Sequence, residues 1–251
     1  MIKRFQPISV FKKDPYRKIL AFPKVTESEI EKRIEELKKI RVTHVSFTGP
    51  LQIDKCHILG KGYVGMVVLA KKSGKIVALK IRRTDSPRKN MSGEAKLLKT
   101  ANEINIGPEI IDNSKNFLIM EFIDGEKIID WVKKTTTKPK ELRSVISNVL
   151  RECYLLDDTG LDHGELSTID KHVMVGKNRN TIIDFESSSK KRITSNVSAA
   201  TQAIFIGTGL AKIIRKKIQV PRRDKIIRLV RNYKKLRTQE SFDGLLRGLK
   251  L

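Results

Sequence analysis

At 251 residues with a formal net charge of +24, the chain has room for one two-lobed domain with a real core and a short extension. Two cysteines exclude a disulfide framework and imply a reduced, intracellular setting. No uninterrupted apolar run approaches the ~20 residues of a bilayer span, and no apolar core follows the basic start MIKRFQPISVFKK, so a soluble cytoplasmic protein is expected.

The first predicted element is the helix within VTESEIEKRIEELKKIRV. Thr26 and Glu29 have capping-box spacing, Val25 and Ile30 sit where a hydrophobic staple closes, and Ile30, Ile34 and Leu37 form an apolar stripe with charges on the other faces. The helix is expected to dock on the small lobe that follows, and residues 1–44 are read as an N-terminal extension.

From Leu59 to Lys80 the sequence is LGKGYVGMVVLAKKSGKIVALK, with Gly60, Gly62 and Gly65 in GxGxxG spacing. The spacing alone is a weak signal, since a dinucleotide-binding turn shares it. A dinucleotide site needs a helix directly after the glycines, whereas MVVLA and KIVALKI are β-branched runs separated by the polar turn KKSGK. A hairpin is therefore expected, in which the amides of Lys61 to Gly65 lie over phosphate oxygens and Val67 covers a flat base. Lys80 projects its ammonium towards the phosphates. These residues resemble the protein-kinase pattern GxGxxGxV followed by VAIK.

A helix is predicted over Ser86 to Glu103, with Ser86 as N-cap and Pro87 at the first position. Met91, Glu94, Leu98 and Ala101 recur at three- or four-residue steps, which puts Glu94 on the packing face. Glutamates on helices are usually solvated, but a lysine on the preceding strand favours an ion pair. That pair resembles the kinase lysine–glutamate pair that orients the phosphate contact. GPEIIDN and FLIMEFIDG then suit two more strands. The resemblance implies that Met120 to Ile123, with Glu121 and Ile123 as contacts, line an adenine site and lead into a hinge at Asp124-Gly125.

The block LDHGELSTIDKHVMVGKNRNTIIDFESSS carries the chemistry. HVMV and TIID are short strands joined by the turn GKNRN, so Asp170 and Asp184 come to the open end of a hairpin. Two such carboxylates suit octahedral Mg²⁺ with the phosphates of ATP. Glu165, in the loop before them, is placed to accept a proton from a hydroxyl. The block resembles the kinase catalytic loop HxDxxxxN followed by DFG, with His163, Glu165, Asp170 and Asp184 matching its histidine, catalytic acid, asparagine and metal aspartate. There are three departures: glutamate for the catalytic aspartate, Asp170 for asparagine, and Glu186 for the DFG glycine, which strains any left-handed backbone there. The DFE triplet also resembles choline and aminoglycoside kinases. Cys56 and Cys153 are isolated, so no zinc site is expected. His163 is read as packing against Phe185 and His172 as a surface or hairpin histidine.

From Ser187 to Leu251 there are seventeen Lys/Arg against three Asp/Glu. RKKIQVPRRDKIIRLVRNYKKLR reads as two basic helices hinged at Pro221, with Ile213, Ile214, Ile218, Ile226, Ile227, Val230 and Leu236 inward. Such density suits either a solvated face or an acidic partner, RNA or a ribosomal particle. Between Glu186 and the helix near Val197 the chain is too short for a peptide-binding activation segment. With the MEFIDG hinge, this resembles the compact atypical kinases of archaea, near the RIO family and the small kinase of the KEOPS complex, over about Val45 to Ile218. The implied fold is α+β and two-lobed, with a small antiparallel N-lobe sheet and one helix over 45–123 and an abbreviated helical C-lobe over 124–251. The implied function is an ATP- and Mg²⁺-dependent serine/threonine protein kinase. The alternatives are a small-molecule kinase, or a basic RNA-associated factor that hydrolyses ATP slowly.

Overall fold

The computed structural model describes residues 4–207 and 209–251. The chain divides into two compact units, one running up to Lys99 and including Pro108–Phe122, the other made of Thr100–Gly107 and Ile123–Leu251.

The strands of the first unit are β1 (Gln6–Pro7), β2 (Val42–Ser46), β3 (Leu51–Ile53), β4 (Cys56–Ile58), β5 (Gly60–Lys61), β6 (Gly65–Lys72), β7 (Lys75–Arg82), β8 (Ile110–Asn113) and β9 (Phe117–Glu121). An antiparallel sheet has the order β1-β2-β6-β7-β9-β8, with β5 on β6, while β3 and β4 pair separately. β6 and β7 pair along their whole length, from Gly65 opposite Arg82 to Lys72 opposite Lys75. Their turn, Ser73-Gly74, has φ of +48° and +79°, the two-residue geometry that follows the strand twist.

Alternation sorts the side chains of this sheet. Met66, Val68 and Ala70, with Val77, Leu79, Ile81, Phe117 and Ile119 across the register, are buried in one cluster with Phe11, Ile19, Leu20, Ile30, Ile34 and Leu37. The last six come from the N-terminal segment, which holds α1 (Arg17–Leu20) and α2 (Glu27–Lys39). The segment therefore supplies a large share of this core, with Ile8, Val10 and Ala21 also buried in it.

α2 starts at the predicted cap, where Thr26 Oγ1 accepts from the Glu29 N–H at 3.3 Å. The Glu29 carboxylate turns instead to Arg33, whose Nε donates to Glu29 Oε1 at 2.6 Å. Arg33 is fully buried, a departure from the solvated charged faces expected on this helix. Its Nη1 donates to the carbonyls of Leu20 and Arg82 at 2.7 and 2.6 Å, so an unusual burial is satisfied by hydrogen bonds. Glu36 accepts from the Asn116 backbone and side-chain N–H groups, both at 2.7 Å.

α3 (Ser92–Asn102) begins six residues later than the sequence predicts. Ser86 Oγ accepts from the Arg88 N–H at 3.2 Å and closes a local turn instead, a competing use of serine next to proline. The helix starts where Asn90 Oδ1 accepts from the Ser92 N–H at 3.0 Å and the Met91 carbonyl accepts from Ala95 at 3.0 Å.

The second unit holds the three-stranded sheet β10 (Gly125–Lys127), β11 (Val173–Gly176) and β12 (Asn180–Ile182), in that order. Its helices are α4 (Ile128–Lys133), α5 (Pro139–Asp158), α6 (Ile169–His172), α7 (Asn196–Phe205), α8 (Gly209–Lys217), α9 (Arg223–Leu236) and α10 (Gln239–Leu249). α5 buries Leu142, Ile146, Val149, Leu150, Cys153 and Leu156, the spacing of one helical face.

At the C-terminal end Ile214, Ile218, Ile226 and Val230 are buried as predicted, Ile213 and Ile227 partly so. Leu236 is 52% exposed, contrary to expectation. The inward stripe continues from Val230 to Tyr233, whose hydroxyl donates to Asp157 Oδ2 at 2.9 Å, and Leu236 lies off it. α10 was not foreseen, because Gly244 and Gly248 depress helix propensity in SFDGLLRGLKL. It forms nonetheless, through a Thr238–Ser241 capping box and burial of Phe242, Leu245, Leu246 and Leu249, with Phe242 stacked on Tyr154 at 4.6 Å.

Candidate active site

In the first unit the strand register draws the predicted nucleotide residues into one row. Gly60 lies opposite Val67, Val67 opposite Lys80, and Lys80 opposite Leu118, so their side chains share the sheet face away from the N-terminal core. Lys80 Nζ donates to Glu94 Oε1 at 2.8 Å, and both side chains are buried. A lysine on a strand and a glutamate on a helix buried this deeply are tolerated because each balances the other's charge.

The glycine loop is a tight hairpin with Tyr63 and Val64 at its tip. The Gly62 N–H donates to the Gly65 carbonyl at 2.8 Å, so that amide serves the hairpin and is not among those turned to phosphate. A Cβ at Gly65 would sit 2.8 Å from the Ile81 carbonyl oxygen, whereas one at Gly60 would meet nothing within 4 Å. Gly65 is thus set by strand packing, whereas the space above Gly60 is open. The tip is anchored by the Arg83 N–H donating to the Val64 carbonyl at 2.9 Å. Tyr63 is 72% exposed. Glu121 ends β9, its N–H donating to the Glu109 carbonyl at 2.8 Å and its carboxylate accepting from the Glu109 N–H at 3.2 Å.

In the second unit the Ile123 carbonyl accepts from the Gly125 N–H at 3.0 Å, closing a turn at Asp124-Gly125. The loop Asp162–Thr168 is fixed on both sides. Asp162 pairs with Ser189 through reciprocal backbone hydrogen bonds of 3.0 and 2.8 Å. The Asp162 carboxylate accepts from Arg192 Nε at 2.7 Å. The His163 N–H donates to Asn196 Oδ1 at 2.9 Å, and Asn196 is anchored in turn to Asp157. Gly164 has φ +89°, and a Cβ there would lie 2.7 Å from the Ser187 carbonyl oxygen, so the turn that presents Glu165 requires glycine.

Glu165 follows that turn and is held at both carboxylate oxygens. Ser187 Oγ donates to Oε1 in a very short hydrogen bond, and His172 Nε2 lies 3.0 Å from Oε2. Of the two readings of His172, the surface one is corrected, since the residue is 6% exposed, while it does stand at the hairpin, its carbonyl accepting from the Ile183 N–H at 2.9 Å. Its ring meets His163 edge-on at 5.5 Å, and His163 meets Phe185 in the same manner at 5.0 Å, as predicted for Phe185. No spacing rule marks His172 or Ser187, because the contacts depend on how the loop, hairpin and Phe185–Ser187 turn fold over one another.

The hairpin of β11 and β12 closes with Val173 opposite Ile182. Asp170, in α6, and Asp184 therefore flank its open end. Asp184 itself adopts the left-handed conformation at φ +71°, whereas Glu186 lies in the turn Phe185–Ser187. The strain anticipated at Glu186 sits instead at Asp184. Two carboxylates suit a hard cation that keeps phosphate and water oxygens in its other positions. Among the described residues no three His, Cys, Asp or Glu side chains gather as a complete protein-only metal site.

Burial pushes the His163 ring down from 6.5 to about 4, with the neighbouring His172 acting in the same direction. Between these values the unfolded chain binds a proton that the folded chain does not, so stability falls as pH drops from about 6.5 to about 4. The shift corresponds to about 3 kcal/mol at most. Urea midpoints at pH 4.5 and 7 are expected to differ more for the native chain than for His163→Leu, and an equal difference in both would remove His163 as the cause.

A glycine hairpin over a sheet with a buried lysine–glutamate pair, followed in a helical unit by a glutamate loop and a DFE hairpin, defines a two-lobed, α+β, protein-kinase-like fold. The sequence profile of the RIO domain matches residues 69–196. The chain belongs to the RIO domain family, a family of atypical protein kinases. It is also similar to an uncharacterized protein of the archaeon Methanocaldococcus jannaschii, 32% identical over 119 residues, which is 47% of this chain and the whole of that protein. No single helix among the described residues is long and apolar enough to cross a membrane.

Proposed function

We propose that the protein is a cytoplasmic serine/threonine kinase that transfers the γ-phosphate of ATP to a protein hydroxyl with Mg²⁺. The observation that carries this reading is the buried Lys80–Glu94 pair at 2.8 Å, in register with Gly60 and Val67. Lys80 supplies positive charge to the phosphates and Glu94 keeps its ammonium in place, while Gly60, with open space above it, puts no side chain in the way of the phosphates. Val67, with Glu121 and Ile123, borders the base. Asp170 and Asp184 are the residues that hold the Mg²⁺, which neutralises phosphate charge when bound. Glu165 accepts the proton of the attacking hydroxyl, a role suited to a carboxylate that already accepts a hydrogen bond from the hydroxyl of Ser187.

The test is incubation with ATP labelled at the γ-phosphate, alone, with a generic protein substrate and with a panel of amino alcohols and aminoglycosides. Label on protein supports the reading. Label confined to a metabolite replaces it with the small-molecule kinase, and release of phosphate alone with the slow ATPase.

The exposed basic face of α8 and α9 favours a separate interaction with an acidic macromolecule such as RNA. Lys216, Arg222 and Arg223 are exposed, whereas Arg215 donates to the Phe205 carbonyl at 2.6 Å and Lys217 to the Lys134 carbonyl at 2.5 Å. RNA affinity is expected to fall linearly with salt on logarithmic axes. Charge reversal of Lys216, Arg222 and Arg223 should reduce the slope by about one per lost phosphate contact, at unchanged ATP affinity. A salt-independent interaction would return this face to plain solvation.

A further inference from the structure

We infer that His172 is the positioning residue of the proton acceptor: its Nε2–H fixes one oxygen of Glu165 so that the other meets the incoming hydroxyl. The inference rests on the reading of Glu165 as proton acceptor and adds a residue to it.

The two oxygens of Glu165 have unlike partners. Oε2 faces His172 at 3.0 Å, and His172 is buried. Oε1 accepts from the hydroxyl of Ser187, which is only partly buried. His172 belongs to α6 and leads directly into β11. Its carbonyl accepts from the Ile183 N–H at 2.9 Å, so its backbone is part of the hairpin. Its ring is backed by His163, which is itself held by contact with Phe185 and by Nε2 facing the Ile183 carbonyl at 3.1 Å. A side chain so enclosed keeps its position when substrate arrives. A serine hydroxyl on a short turn gives way far more readily.

The tautomer follows from the same contacts. Nδ1 of His172 is buried without a hydrogen-bond partner, as is Nδ1 of His163. A ring proton on a nitrogen with no acceptor costs a full desolvation, so the proton of a neutral ring belongs on Nε2. There it donates to Glu165. Donation to Oε2 restrains the three torsions that would otherwise swing a glutamate, whose extra methylene makes it looser than an aspartate in this place. A substrate hydroxyl then displaces Ser187 from Oε1 and finds the acceptor already aimed. His172 touches no reacting atom in this scheme.

The decisive variants are His172→Leu, which keeps volume but removes the donor, and His172→Gln, whose Nε2 can take the place of the ring Nε2. His172→Leu is expected to lower kcat by about 10- to 100-fold with the KM for ATP within twofold, and His172→Gln to recover most of the loss. In a Glu165→Ala background His172→Leu should cost nothing further, since its only catalytic partner is gone. Equal losses for Leu and Gln, or the same fold-loss with and without Glu165, would overturn the inference. Thermal unfolding of each variant separates lost folding from lost positioning. If Glu165→Gln itself leaves turnover unchanged, the proton-acceptor reading fails first. If it lowers turnover while His172→Leu does not, only the role of His172 falls.

Discussion

Glu165→Gln is expected to lower phosphoryl transfer by roughly 10²- to 10⁴-fold while ATP affinity stays within a few-fold. The amide keeps the shape of the side chain and can still meet Ser187 and His172, but it has no basic oxygen to take the proton. Nucleotide affinity is expected to survive because the residues assigned to the phosphates and the base are others. A companion Glu165→Asp variant sharpens the result. It restores the aspartate of the kinase pattern but retracts the carboxylate by one methylene from His172 Nε2, which lies 3.0 Å from Oε2 in the native chain. Activity below native in Glu165→Asp would show that this loop is built around glutamate. Unchanged turnover in Glu165→Gln would assign proton acceptance elsewhere.

Lys80→Ala and Glu94→Ala are the second pair of large effects, and they act on folding as well as on transfer. Each strips a side chain buried to about 3% exposure of the partner 2.8 Å away. Removing one member of a buried ion pair typically costs about 3–5 kcal/mol. Transfer should be lost in both variants, through a missing phosphate contact in the first and a misplaced lysine in the second. Lys80→Met with Glu94→Gln keeps the volume and removes both charges together. It should recover a large part of the stability, measured by urea unfolding, without recovering transfer. Full transfer activity in either single alanine variant would sink the kinase assignment.

Local pattern was enough for much of this molecule. The hairpin of β6 and β7 was legible because KKSGK interrupts two β-branched runs. The ion pair was legible because helical periodicity put a carboxylate on a packing face. The start of α3 was misread because Ser86-Pro87 satisfies a turn as well as a helix cap, and only the later Asn90 closes on Ser92. The burial of Arg33 was hidden because its partners at Leu20 and Arg82 are 13 and 49 residues away. The burial of His172, though not its place at the hairpin, was hidden for a similar reason, since what encloses it is a fold of three separate segments. α10 was missed because two glycines outweigh, in a local reading, the apolar spacing of Phe242, Leu245, Leu246 and Leu249.

The N-terminal segment carries a practical consequence for anyone who trims the chain. Homology to the RIO domain starts at Leu69, inside β6, and a polypeptide cut there would lack β1 to β5, the first residues of β6, α1 and α2 together. The sheet face bearing Val77, Leu79, Ile81, Phe117 and Ile119 would lose the lid of aliphatic side chains that now keeps it dry. Two stacked copies could bury such faces against each other, and open strand edges invite the same. The recognisable stretch is therefore shorter than the smallest piece able to stand alone, and the shortest soluble fragment of the first unit must reach upstream of Phe11.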